Sequence, residues 1–228
     1  MYAECIFGQT FSITKKIKNM SCARVLAGNI VMDCDNPLVG GYVGDGLIVS
    51  LASNPVIVAD EANPRKIKSI TAPQGGVYKI ENAVVTPFSG STTAGNADNG
   101  YREYLKTISF TIPLRGADAS RDVVEPLFND PYGFIMVLPK RDRVGDGGFE
   151  VIGYKSALRG DITTLSRDEN ANGGSWQASL SCREPYAEVT LIGEDGTYES
   201  AKTAYDNLEA AMQVGVVSLS MSEKKKIK

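Results

Sequence analysis

The chain is predicted to be mainly β, an antiparallel β-sandwich or barrel-like sheet with a short flanking helix and a C-terminal helix. Three observations predict it. Apolar and polar residues alternate with period two in several stretches, as they do when successive side chains point to opposite faces of a sheet. The 23 Gly and 10 Pro among 228 residues punctuate the chain too often for long helices. Helical spacing is confined to two stretches, 120–128 and 199–213.

The elements follow in order. Strands are expected over Phe7–Thr14, Leu47–Ala52, Val56–Val58, Ile67–Thr71 and Val77–Val85. In Tyr104–Leu114 the apolar Ile108, Phe110, Ile112 and Leu114 share one face and Thr107, Ser109 and Thr111 the other, which is the pattern of a half-buried strand; Pro113 marks its end. Ser120 is a candidate N-cap for a short helix with Val123, Val124, Leu127 and Phe128 on one stripe and Pro126 inside it. Gly133–Tyr154 reads as a hairpin: an apolar run, a polar Gly- and Asp-rich turn, then Phe149–Tyr154. Trp176, Ala178, Leu180 and Cys182 alternate inward, which makes the only tryptophan a core anchor. Ala187–Ile192 is the last strand. In Glu199–Gln213 the residues Ala201, Ala204, Tyr205, Leu208, Ala211 and Met212 follow i, i+3, i+4 spacing, with Gly215 as a natural stop. Two polar stretches, Thr86–Gly100 and Ser166–Gly174, are expected to be long loops.

Composition excludes much chemistry. There is no histidine, so Ser-His-Asp and Cys-His catalysis and His-bearing zinc sites are ruled out. The cysteines at 5, 22, 34 and 182 form no C-x-x-C pair and are too few for a disulfide scaffold. No metal or cofactor is expected. Gly40–Gly46 is glycine-rich, yet its spacing is wrong for a dinucleotide loop and a strand-like Leu47-Ile48-Val49 follows, so it reads as a turn. Asp33–Asn36 and Glu194–Gly196 lack the distal ligands of a calcium loop and read as Asx turns. Asn19-Met20-Ser21 matches a glycosylation sequon, with no secretion signal beside it. No catalytic residue stands out, although a pair of carboxylates suited to glycoside hydrolysis stays open among 27 acids. No signal peptide and no membrane span are predicted, which points to cytosolic synthesis.

Charge is unevenly placed. Residues 223–228 hold four Lys and one Glu, so the other 222 carry 20 basic against 26 acidic groups, a net −6. An acidic body has no footprint for gripping nucleic acid. Lys224, Lys225, Lys226 and Lys228 are candidates for contact with an acidic partner or phosphate, set against a plainly solvated end.

Taken in order, these elements resemble the tail-tube-like virion proteins of tailed bacteriophages, including the ring proteins of the portal–tail region of crAss-like phages. The likeness spans roughly residues 40–192 and is closest in Phe149-Glu150-Val151-Ile152-Gly153-Tyr154 and Gly173-Gly174-Ser175-Trp176-Gln177-Ala178-Ser179-Leu180. It implies a non-enzymatic structural protein of the virion, with sheets of neighbouring subunits joined edge to edge in a ring of six or a multiple of six around a DNA channel. The partners it implies are further copies of the chain, neighbouring portal, tail or ring proteins, and DNA passing without sequence-specific binding, with no membrane. In that family a long loop contacts the adjacent ring, and Pro87, Phe88, Asn96 and Asp98 are the matching candidates here. The resemblance divides the chain into a β-rich domain, 1–195, and a C-terminal helix with a Lys-rich tail, 196–228. The additional C-terminal helix, Glu199–Gln213, and the Lys-rich end depart from a minimal tube protein and favour a specialised ring or adaptor. An acidic body suits a conduit, since like charge keeps DNA from sticking. The competing expectation is a β-sandwich carbohydrate-binding module or carboxylate-only glycosidase, with Trp176 or Tyr101 as a sugar platform; a third is a cytosolic β-rich adaptor.

Overall fold

The computed structural model describes residues 40–81, 88–95, 103–112, 117–143, 147–160, 166–167 and 176–212. The chain divides into two compact units, Met1–Pro37 and Leu38–Lys228, and every described residue belongs to the second. The predicted strand Phe7–Thr14 lies outside the described residues.

The described residues are mainly β, in two sheets. The strands are β1 (Gly46–Ser50), β2 (Val56–Ala59), β3 (Lys66–Thr71), β4 (Val77–Ile80), β5 (Phe88–Ala94) and β6 (Tyr104–Ile112). After a helical segment come β7 (Phe134–Pro139), β8 (Phe149–Ile152), β9 (Arg159–Gly160), β10 (Ser166–Arg167), β11 (Trp176–Glu184) and β12 (Thr190–Leu191). One sheet has seven strands in the order β2-β3-β12-β8-β7-β1-β4; the other runs β10-β11-β6-β5, with β9 also pairing β11. Among these strands every pairing is antiparallel except β12 with β3.

The seven-stranded sheet is buried on both faces at its centre, which explains why β1, β7 and β8 read as continuous apolar runs. Leu47, Val49, Ile135, Val137, Phe149 and Val151 face a first core that helix α3 (Tyr198–Glu209) covers. Ile48, Phe134, Met136, Leu138 and Ile152 face a second core, closed by Ile108, Phe110, Ile112, Ala178, Leu180 and Cys182 of the five-stranded sheet. The two sheets thus pack as a sandwich, with the alternation expected of β6 and β11 and Cys182 on the inward face.

Both helical stripes pack as their spacing predicts. In the helical segment, α1 (Ala117–Ala119) leads through a π-helical turn, Ser120–Val124, into α2 (Glu125–Asn129). Val123, Val124, Leu127 and Phe128 lie against the inter-sheet core. The widened turn stands just before Pro126, whose ring has no N–H and crowds the carbonyl four residues back. In α3 the buried residues are Ala201, Tyr205 and Leu208, flanked by Ala204, Ala211 and Met212. Thr197 caps this helix by accepting a hydrogen bond from Ser200 N at 3.2 Å. The helix ends at Glu209, before the expected Gln213, because the Ala211 carbonyl accepts from Gly75 N and Met212 bridges to Val77. Among the described residues no helix is long and apolar enough to cross a membrane.

Candidate functional site

Of the sequence-predicted contact residues, Pro87, Asn96, Asp98, Lys224, Lys225, Lys226 and Lys228 lie outside the described residues. Phe88 does not lie in a loop. It opens β5 and is buried, with its ring centroid 6.1 Å from that of Phe110. Residues 88–94, expected to belong to a long loop, pair one for one with β6 from Phe88↔Phe110 to Ala94↔Tyr104. Backbone ladder bonds need no apolar side chains, so a Ser-, Gly- and Thr-rich segment completes the sheet where a long partner offers its edge. In the second expected loop, Ser166–Arg167 form the short strand β10.

Strand β5 is the outer strand of its sheet at that end. Ser89 through Ala94 are all exposed, and the seven residues Phe-Ser-Gly-Ser-Thr-Thr-Ala include no charge and no proline. An edge strand left free in solution is ordinarily guarded by Lys, Pro, a bulge or an inward charge. The register of β5 on β6 is regular throughout and shows no bulge. Among the described residues no strand pairs with this edge, which is longer than the two-residue strands β9 and β10 at the other side of the sheet.

The outward face of the same sheet has an unusual chemistry. Pairing places Ser89 beside Ser109 and Ser109 beside Ser179, with a 3.1 Å hydrogen bond from Ser109 Oγ to Ser179 Oγ. The next rows are Ser91, Thr107 and Ser181 on one side, and Thr111 with Gln177 on the other. Among the described residues, charge enters where Arg159 lies beside Ser181 and where Arg183 pairs with Glu103 at 3.7 Å, and the exposed Leu105 stands between Thr93 and Arg183.

Between the sheets lies a buried polar network that joins three distant parts of the chain. Lys106 is 1% exposed, in phase with Ile108 and Phe110 on the inward face of β6. Its Nζ lies 3.4 Å from Glu150 Oε1, while Tyr42 Oη donates to Glu150 Oε2 at 2.8 Å. Tyr42 is held over β5 and β6, and a Cβ on Gly90 would stand 2.7 Å from its hydroxyl. Burial, then the charge of Glu150, raises the Tyr42 phenol well above its ordinary range, so it acts here as a donor. On β11, Glu184 is buried and its Oε1 accepts the backbone N–H groups of Lys155 and Ser156 at 3.0 and 3.2 Å. Burial and the neighbouring Glu184 push the Cys182 thiol up to about 12, which makes it a poor nucleophile and metal ligand.

A second polar cluster ties α3 to the first sheet. Lys79 Nζ lies 2.8 Å from both Asp45 Oδ2 and Glu209 Oε1, and these bonds raise its pKa. Tyr205 Oη donates to the Asp45 carbonyl at 2.6 Å. Both clusters bridge elements and close the core.

The glycine- and acid-rich turns are structural as well. Gly41 and Gly44 take positive φ of 101° and 81° immediately before β1, the turn expected of Gly40–Gly46. Asp195 Oδ1 accepts from Thr197 N at 3.0 Å, an Asx turn leading into the α3 cap, and these bonds hold its carboxyl below the usual range. Asp33–Asn36 lie outside the described residues. Among the described residues no group of three or more Cys, Asp or Glu is placed to hold a metal ion.

Sequence reasoning missed Lys106, Glu150 and Glu184. The signal was there for two of them: Lys106 falls in phase with Ile108, and Glu184 with Leu180 and Cys182, so alternation alone places both inward. Trp176 is half-buried and packs against the inter-sheet core. No family model, no curated protein and no solved structure matches this chain.

Proposed function

We propose that this chain is a structural protein of a tailed-bacteriophage virion that forms a homo-oligomeric ring or tube segment of the portal–tail region, through which DNA passes. The observation that carries this reading is the open β5 edge. Seven uncharged, unbulged residues, six of them exposed, form a regular strand whose outer side meets no strand among the described residues, a liability for a lone subunit and a ready joint in a closed ring, where each edge meets a neighbour. The two-sheet sandwich with a flanking helix supports it, as does the placement of the buried polar groups as braces between elements.

The test is size-exclusion chromatography with mass measurement on the purified chain, together with negative-stain microscopy of the same fractions and a search for the chain in purified virions. Rings in solution, or the chain in assembled particles, support the reading. A stable monomer at high concentration that is also absent from virions overturns it. Retention on a glycan array without oligomers would favour the carbohydrate-binding reading, against which Trp176 packs its ring on the inter-sheet core.

A further inference from the structure

We propose that the outer edge of β4 is the docking site of the chain's own C-terminal segment, with residues 213–216 added as a parallel strand that closes this end of the seven-stranded sheet. Among the described strands β4 pairs with β1 alone and ends the sheet. The chain leaving α3 already arrives at its outer side. Gly75 N donates to the Ala211 carbonyl at 3.2 Å, and Met212, the last described residue, forms a parallel bridge with Val77. That bridge is the first rung of a ladder.

Phase continues it. Met212 packs against the first core, to which the fully buried Val77 also belongs. Counting on from Met212↔Val77, Gln213 falls beside Tyr78, Val214 beside Lys79 and Gly215 beside Ile80. Period two then assigns Met212, Val214 and Val216 to the face that α3 covers, and Gln213 and Gly215 to the face on which Tyr78 is 47% exposed. Direction agrees as well. Successive antiparallel pairings join β12 to β8, β8 to β7, β7 to β1 and β1 to β4, so β12 and β4 run the same way. A parallel strand needs a long crossover, usually a helix, and α3 supplies it between β12 and residues 213–216. The edge itself calls for cover. Val77–Ile80 contain no proline and pair with β1 in regular register, and their one charge, Lys79, is held by Asp45 and Glu209 instead of facing outward as a guard. A segment tethered at Met212 meets this edge at high effective concentration, an advantage that no separate molecule has.

The experiment uses the full chain. Tyr78→Cys with Gln213→Cys puts two thiols on one row of the ladder, where neighbouring strands stand about 4.8 Å apart, within the Cα separation that a disulfide spans. Tyr78→Cys with Val214→Cys is the control, its second thiol one position on and so on the other face. Both are oxidised mildly at low protein concentration and digested, and linked peptides are identified by mass, with the four native cysteines mapped in the same digest. The 78–213 link is expected to form within one chain at least about tenfold faster than the 78–214 link. In the wild-type chain, hydrogen exchange read by mass spectrometry is expected to show the amides of 213–216 protected at least about tenfold over those of 222–228. No 78–213 link, or equal rates for the two links, overturns the register and with it the docked strand. A 78–213 link found solely between chains gives the edge to a second copy and overturns docking within the chain. Exchange of 213–216 as fast as 222–228 overturns the strand whatever the variants do. The docking does not depend on ring formation, so none of these results bears on the joint at β5.

Discussion

Replacing Glu150 by Gln should be among the most damaging single-atom changes available to this fold. Lys106 is 1% exposed and its ammonium lies 3.4 Å from Glu150 Oε1, where the Glu150 side chain is itself only 12% exposed. At an effective dielectric of about 20 the attraction across that distance is about 5 kcal/mol. Most of it offsets the cost of taking both charges out of water, so the intact pair adds little net stability. Removing one partner is a different matter. The amide that Glu150→Gln introduces can still accept from Tyr42 Oη, so the 2.8 Å bond is retained in kind, but Lys106 is left buried without a counter-charge. The expected loss is about 3–5 kcal/mol. Lys106→Met should cost less, because Glu150 keeps Tyr42 and some contact with solvent. The double variant Lys106→Met/Glu150→Gln should recover most of the loss, giving a coupling of at least about 2 kcal/mol. Urea titration followed by circular dichroism measures all four proteins, with the slope of each transition confirming a common unfolding reaction. A Glu150→Gln protein within about 0.5 kcal/mol of wild type, or a double variant equal to the sum of the singles, would refute the reasoning.

Other perturbations probe the remaining braces. Leu208→Ala removes a buried side chain from the α3 face and should cost about 2–5 kcal/mol in the same titration. Tyr205→Phe deletes the donor to the Asp45 carbonyl while keeping the ring against Phe149, and should cost about 1 kcal/mol. Cys182 has a folded pKa raised from 9.0 to about 12, so its contribution to stability is complete below about pH 9 and is lost as pH rises toward 12. Raised phenols at Tyr42 and Tyr205 act in the same direction. Stability should hold between about pH 6 and 8 and decline above about 9, with a shallower decline for Cys182→Ala; a fall centred near neutrality would contradict this. Ser91→Lys with Thr93→Lys guards the β5 edge with charge and should abolish rings while shifting the stability of the subunit by less than about 0.5 kcal/mol; unimpaired rings would remove β5 from the joint.

How much of this was legible in the sequence depends on which residues carry each element. Wherever one face is apolar, as in Ile108-Phe110-Ile112 or Ala178-Leu180-Cys182, alternation fixes both the strand and its orientation. The stripe from Ala201 to Met212, through α3 and the turn that follows it, was equally readable, and every member packs on the first core. Strand β5 was not readable. Its inward positions are Phe88, Gly90, Thr92 and Ala94, and its outward ones Ser89, Ser91 and Thr93, so no hydrophobic contrast separates the faces. What makes it a strand is β6, a partner contributed by the fold. The buried network escaped for another reason. Lys106 and Glu184 break the apolar rule at positions the rule assigns inward, and Tyr42 meets Glu150 across 108 residues, a separation that no local pattern encodes.

Charge is where sequence and structure part most sharply. A net −6 over 222 residues invites the picture of an acid-lined conduit, in which repulsion keeps DNA moving. Net charge, however, is a sum over a molecule, and a passing duplex meets only one face of it. Many of the acids occupy turns and helices: Asp60 and Glu61 after β2, Asp118, Asp122 and Glu125 in the first helical segment, Glu194 and Asp195 before α3, Asp206 and Glu209 within it. Others are consumed in ion pairs, as at Lys79 and Lys140. The row Ser89, Ser109 and Ser179 on the outward face of the five-stranded sheet carries neither sign. Under the ring reading, the acidic groups on turns and helices keep free subunits apart until their β5 edges meet. Adding acids to those outer turns should therefore slow ring formation, followed by light scattering, while leaving the mass of the finished rings unchanged; assembly at an unaltered rate would contradict this.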